Sequence, residues 1–249
     1  MVQKLLSTTL AVVVVLITAA SAKAAEIKVL SANGARLVLE ALVPQFEGET
    51  NHKVTTEYGE AGVLRGRILE GEDFDVTVLP SGWAELGGTV ADDPVAIAHT
   101  DFGMAVLADV PTPDTSSSDA LKQMLLSAKS IVYTDPKTGG ISGVLFSRLI
   151  ERLGIADEVN KKSKLVAGVL NVSFVVNGEA DLAVELANEI LAVPGVQFVP
   201  MPPGFQISVT FSGAVAAKTN DPAAAKSLIS FLARPAAAPV IRSKGYEPG

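Results

Sequence analysis

The chain contains no cysteine among its 249 residues, so disulfides, thiolate catalysis and a lipid-attachment cysteine are all excluded. Histidine is nearly as scarce. His52 and His99 lie far apart with no ligand spacing, and both are expected to be structural. Without a CxxC or HExxH pattern, redox and zinc chemistry have no support, and neither a metal nor another cofactor is expected. A P-loop lysine pattern is missing as well, which removes phosphoryl transfer. Basic residues number 20 against 27 acidic ones, a net charge of −7. That balance argues against nucleic acid and anionic membrane faces as partners. An anionic ligand would have to be held by local dipoles, because the overall field repels it.

Long apolar runs are also missing, with one exception at the start. Met1–Lys4 form a short positive segment, Leu5–Ala20 are apolar apart from a few hydroxyls, and Ala22-Lys23-Ala24 has the small-x-small form of a signal-peptidase site. Residues 1–24 are therefore expected to be a signal peptide, with an apolar core too short to span a bilayer comfortably. Removing them takes Lys4 and Lys23 but no acid, so 20 basic residues become 18 against 27, and 18 − 27 = −9. The mature chain is expected free in the periplasm, as a monomer without a membrane anchor. Its length of about 225 residues allows one domain or two small lobes.

Strand and helix patterns alternate along that length. Ile27–Ser31, Lys53–Tyr58 and Phe74–Leu79 read as strands, with helices at Ala35–Phe46 and Val63–Glu70 between them. This order predicts a parallel sheet with helices on both faces. A strand at Asp101–Leu107 leads to a second alternating set: helix Asp119–Ala128, strand Ser130–Thr134, helix Gly143–Leu153, strand Lys164–Val166, helix Asn171–Asn177, strand Ala180–Val184 and helix Ala187–Leu191. Phe205–Ala216 reads as a long strand returning to the first set, and Pro222–Leu232 and Pro235–Ser243 as closing helices. The expected architecture is α/β, with two lobes joined by two crossing strands. Lobe 1 comprises residues 25–100 and 211–249, and lobe 2 residues 101–210. Ligands in such sheets bind beyond the carboxyl ends of the strands.

The segment Tyr133-Thr-Asp-Pro-Lys-Thr-Gly-Gly-Ile-Ser-Gly143 is a strand end, a glycine-rich loop and a helix start. Asp135-Pro136 stops the strand, Gly139 and Gly140 free the backbone, and Ser142 is expected to cap the helix. Such a loop aims backbone N–H groups and a helix's positive end at one spot, an anion cradle without formal charge. An ordinary strand-to-helix turn explains the same residues.

Taken together, Ile27-Lys-Val-Leu-Ser-Ala-Asn-Gly34, Tyr58-Gly-Glu-Ala-Gly62, Phe74-Asp-Val-Thr-Val-Leu79, Asp135-Pro136 with Gly139-Gly140, Asn171-Val172 and Gly178-Glu-Ala-Asp181 resemble periplasmic molybdate-binding proteins of ABC importers. The likeness covers essentially the whole mature chain. It implies a type II periplasmic binding protein fold closing on a ligand in the cleft between two lobes, and an inner-membrane ABC permease as partner. The chain also resembles periplasmic aconitate isomerases, which implies a cofactor-independent enzyme as the alternative.

Carried over position by position, the resemblance implies ligand contacts from Ser31, Asn33 and Gly34 after the first strand. It adds Ala61 and Gly62 in the next turn, then Tyr133, Gly140, Ser142 and Gly143, and Asn171 and Val172. Where those proteins place hydroxyl donors this chain has Asn33-Gly34 and Glu60-Ala61, and where they place a tyrosine it has Leu186. A carboxylate about 4 Å from an anion costs on the order of 1–4 kcal/mol. The expected ligand is therefore a small oxyanion or, in preference to it, a small organic polycarboxylate, with molybdate itself disfavoured. Glu60 is a solvated turn residue, a ligand acceptor or, in the enzyme reading, the catalytic general base. Tyr133, Asp135 and Glu185 are weaker acid/base candidates. Arg36 and Arg65 are cationic partners for a carboxylate or exposed helix residues. Gln206 and Trp83 are candidate organic-ligand contacts.

Overall fold

The computed structural model describes residues 24–249, so the expected signal peptide lies outside the described residues apart from Ala24. In chain order the strands are β1 (Glu26–Ala32), β2 (Lys53–Gly59), β3 (Val76–Leu79), β4 (Val95–Leu107), β5 (Ile131–Thr134), β6 (Ser163–Val166), β7 (Leu182–Leu186), β8 (Val196–Pro200), β9 (Ser208–Val215) and β10 (Glu247–Pro248). The helices are α1 (Arg36–Thr50), α2 (Ala61–Leu69), α3 (Ser118–Ser127), α4 (Ile141–Arg152), α5 (Ala156–Asn160), α6 (Val172–Val176), α7 (Ala187–Leu191), α8 (Pro222–Leu232) and α9 (Ala238–Ser243).

Strands pair in the order β2-β1-β3-β9-β4-β7-β5-β6, with β8 and β10 also on β4. β1 runs parallel to β2 and β3, and β5 parallel to β6 and β7. Each parallel set is linked through helices, as alternating βα patterns require. Long β4 joins the two. Its Val95–Asp101 half pairs antiparallel with β9, and its Phe102–Leu107 half with β7 and β8. The fold is thus the mixed α/β type with a curled sheet. Two sets of helices pack on it through stripes such as Val38, Leu39, Leu42 and Phe46 of α1 and Phe146, Leu149 and Ile150 of α4, all buried.

Several boundaries differ from the sequence expectation, and each difference has a local cause. β4 starts six residues earlier than expected, because pairing with β9 recruits Val95–Thr100 despite polar His99 and Thr100. β8 was not anticipated; its Pro194-Gly195 approach and short length hide an edge strand. β7 sits two residues later than expected, which puts Glu185 and Leu186 inside the strand. Pro235–Ser243 divides into a 3-10 turn at Pro235–Ala237 and α9. Ser142 does not cap α4: Gly140 is the N-cap, with no side-chain cap bond, and Ser142 is buried within the first turn.

Candidate functional site

The carboxyl ends of β1, β2, β5 and β7 converge on one cleft lined by Ala32, Asn33, Gly34, Glu60, Ala61, Thr134, Ile141, Ser142, Val169, Glu185, Leu186 and Glu189. Its enclosed space is about 40 Å³, room for about three waters. The starts of α2, α4 and α7 face it, and none of the three carries a side-chain cap. Side-chain caps occur at two other helices: Ser117 Oγ accepts from Ala120 N at the start of α3, and Asp221 from Ala224 N at α8. Uncapped helix starts leave backbone donors and positive dipole ends turned toward whatever occupies the cleft.

Acidic side chains reach into the same cleft. Glu60, the N-cap of α2, accepts on Oε1 from Asn33 Nδ2 at 3.3 Å and, across the cleft, from Gly168 N at 3.3 Å. Its Oε2 lies against Gly140, where an added Cβ would collide with it. Glu185 is buried; Oε1 accepts from Ser142 Oγ at 3.3 Å and Oε2 from Asn171 N at 3.1 Å. Asn171 Nδ2 donates to Thr134 Oγ1 at 3.1 Å and to Val184 O at 2.9 Å, tying α6 to β5 and β7. Glu189 stands in the first turn of α7 beside Glu185. Burial pushes both acids up: Glu185, raised further by Glu189, lies well above the usual carboxylate range, and Glu189 stands at about 7, where repulsion from Glu60 adds to burial and the hydrogen bond with Glu185 opposes it. Such a pair can share a proton near neutral pH.

The halves touch directly beside this cluster. Gly62 N donates to Gly139 O at 3.2 Å, and a Cβ on Gly62 would stand 2.7 Å from both Gly139 Cα and Thr138 O. Gly139 itself has φ +72, a conformation that side chains resist. Gly34 is fixed from the other side: its carbonyl accepts from Tyr246 Oη at 2.7 Å and Asn188 Nδ2 at 3.4 Å.

The residues expected from the sequence separate into two groups. Asn33, Gly34, Glu60, Ala61, Ser142, Glu185 and Leu186 line the cleft, Gly62 and Gly140 sit at its closure, and Arg36 lines a chamber beside it. Ser31 and Asn171 are buried behind the lining, and Gly143 packs α4 against Thr134. Val172 belongs to the core. Tyr133 points away from the cleft, its hydroxyl donating to Asn160 Oδ1 at 2.7 Å and its ring edge-on to Phe146. Arg65 is held by Glu85 at 2.7 Å, and Gln206 staples the crossing segment through Met201 N and Phe102 O. Trp83 lines a surface hollow with Asp92 and Asp93, and Asp135 caps its own turn by accepting from Lys137 N. His52 Nδ1 accepts from Ala25 N. Sequence reading missed Glu189 and Thr134. The signal for Glu189 was its spacing of four from Glu185, hidden by the change from strand to helix between them.

The profile of the family described as "Bacterial extracellular solute-binding protein" matches residues 27–247, nearly the whole described chain. The chain belongs to this family. Among solute-binding relatives, the molybdate-binding protein ModA of Azotobacter vinelandii is 27% identical over 248 residues, 92% of each chain. An aconitate isomerase of a Pseudomonas species is 30% identical over 231 residues, 88% of this chain and 87% of that one. The solved Azotobacter vinelandii periplasmic molybdate-binding protein superposes with TM-score 0.70 at 20% identity, over 90% of this chain and 99% of that one. At that identity the superposition establishes the fold. That fold is the one found in periplasmic binding proteins of the molybdate-binding type. No described helix is long and apolar enough to cross a membrane, and no described cluster of acidic, histidine or cysteine residues suits a metal ion.

Proposed function

We propose that this solute-binding protein works in the periplasm, closes on a small organic acid between its two lobes, and delivers it to an ABC-type permease. One observation carries the choice of ligand. Four donors at or just behind the cleft wall are already taken by the protein's own carboxylates, Glu60 on Asn33 and Gly168, and Glu185 on Ser142 and Asn171. A fixed dianion placed there would face three acidic side chains. An organic acid can instead accept a proton-bearing hydrogen bond from the Glu185–Glu189 pair, while its carbon skeleton lies against Val169 at the mouth of the cleft. A thermal-shift screen with molybdate, tungstate, sulfate, citrate and both aconitate isomers tests this, because a ligand bound only by the folded state raises the melting temperature. Carboxylates alone should produce the shift; a response to molybdate alone refutes the reading.

A second reading has its own support. Three carboxyl groups at one cleft, two of them raised toward neutrality, suit proton transfer. The relative named aconitate isomerase points the same way. In that reading Glu60 takes a proton from the saturated carbon of the bound acid, the electron pair spreads over the allylic system, and the same proton returns at its far end. No cofactor or second reactant is consumed. Glu60→Gln should then lower turnover by roughly 10²–10⁴-fold while binding survives. An NMR time course of cis- and trans-aconitate in deuterated water decides. If the wild type neither isomerises the acid nor exchanges its C–H protons, the receptor reading stands.

A further inference from the structure

Beside the small inner cleft lies a second chamber of about 220 Å³, lined by Asn33, Arg36, Leu37, Gly168, Val169, Leu170, Glu189 and Ala192. Asn33, Val169 and Glu189 border both spaces, so the two are adjoining rooms of one site. Their chemistry differs. The inner room is ringed by helix starts and acids, whereas the outer one has an apolar wall from Leu37, Val169, Leu170 and Ala192 with one cation at its edge. Arg36 is held in place there. Its Cζ lies 4.1 Å from the centroid of the Tyr58 ring, and Nη2 donates to Asn33 Oδ1 at 3.4 Å. Its contact with Glu40 is long, 3.7 Å, between exposed side chains and therefore weak. The guanidinium is thus stacked on Tyr58, and besides Glu40 the acid that feels its charge is Glu189, which borders the same chamber.

We propose that the outer chamber is the subsite for the second acid group of a bifunctional ligand, with Arg36 as its anchor and Val169 and Leu170 packing against the intervening carbons. This rests on the organic-acid reading above and specifies how many acid groups the ligand carries and where they go. The inner room is too small for a carbon chain, so the first acid group sits there and the chain must exit past Glu189 into the outer one. With Glu189 at about 7, a large share of molecules carry its proton near neutral pH despite the opposing pull of Arg36, and in that form it lets the chain pass without charge repulsion. Guanidinium pairs with a carboxylate through two parallel hydrogen bonds, which fixes both distance and orientation.

Calorimetric titration with acetate, succinate, glutarate and citrate tests the subsite, using wild type, Arg36→Met, Val169→Glu and the exposed-arginine control Arg148→Met. Wild type should bind the di- and tricarboxylates at least about tenfold more tightly than acetate, the gain of one charge-assisted contact. Arg36→Met should erase that advantage and leave acetate affinity unchanged, while Arg148→Met keeps it. Val169 is 53% exposed, so Val169→Glu should fold normally and lower affinity for the longer acids by like charge at the junction. If acetate and the dicarboxylates bind wild type equally, or Arg36→Met weakens all acids alike, the second subsite is overturned and the organic-acid reading survives. Absence of binding by any carboxylate overturns both.

Discussion

Glu185 and Glu189 are acids that burial shifts upward, and their titration gives a prediction at the residue scale. Both have folded pKa values raised by burial above the ordinary 4.5, so the folded protein retains protons that the unfolded chain releases. Their contribution to stability is whole below about pH 4.5 and is lost as pH rises through the folded values, near 7 for Glu189. The melting temperature should therefore fall between pH 5 and 8, and the slope should flatten in Glu189→Gln, which cannot ionise. Parallel slopes for wild type and variant contradict the assignment. Glu72 acts at the other end of the scale: hydrogen bonds from Arg67 and Lys28 hold it down at about 2, so its contribution is lost as pH falls below 4.5. Comparing wild type with the variant isolates the buried pair from that surface network. Much of the lining was legible in the sequence, because Asn33, Glu60, Ser142 and Leu186 lie at strand ends or helix starts. Side-chain direction was not. Tyr133 follows the alternation of β5 into the core, and Arg65 turns back to Glu85, neither of which spacing alone determines.

At the scale of elements, the start of α2 meets the loop before α4 through two glycines, and we propose that this contact holds the cleft closed. Gly62→Ala would place a methyl group 2.7 Å from Gly139 Cα and from Thr138 O. Backbone on both sides cannot yield cheaply, so the variant should stay open and bind its ligand at least tenfold more weakly, with little change in unfolding midpoint in ligand-free buffer. Unchanged affinity would mean that closure does not use this contact. Gly34→Ala should behave differently. Its methyl would lie 2.6 Å from Phe211 Cζ and 2.9 Å from a Leu186 methyl inside the core, so it should cost about 1–3 kcal/mol of stability, read as a lower denaturation midpoint. The elements themselves were mostly readable from periodicity. β8 and the first half of β4 were not, because pairing partners distant in sequence decide whether a short or polar segment becomes a strand.

For the whole molecule, β4 and the chain entering β9 pass between the two parallel strand sets, and we propose that they form the hinge separating residues 25–100 and 211–249 from 101–210. Ligand binding would then shift an open population to the closed one. Small-angle scattering should report compaction at saturating ligand, and none for Gly62→Ala. The claim on which the rest depends is the ligand class, since a cleft lined by three acids, with Asn33, Gly168, Ser142 and Asn171 already serving Glu60 and Glu185, should reject a tetrahedral oxyanion. Isothermal titration calorimetry of the mature wild-type protein with molybdate and with citrate or an aconitate isomer tests it most directly. The account predicts saturable binding of a carboxylate and none of molybdate. Sub-micromolar affinity for molybdate with no response to any carboxylate would contradict it.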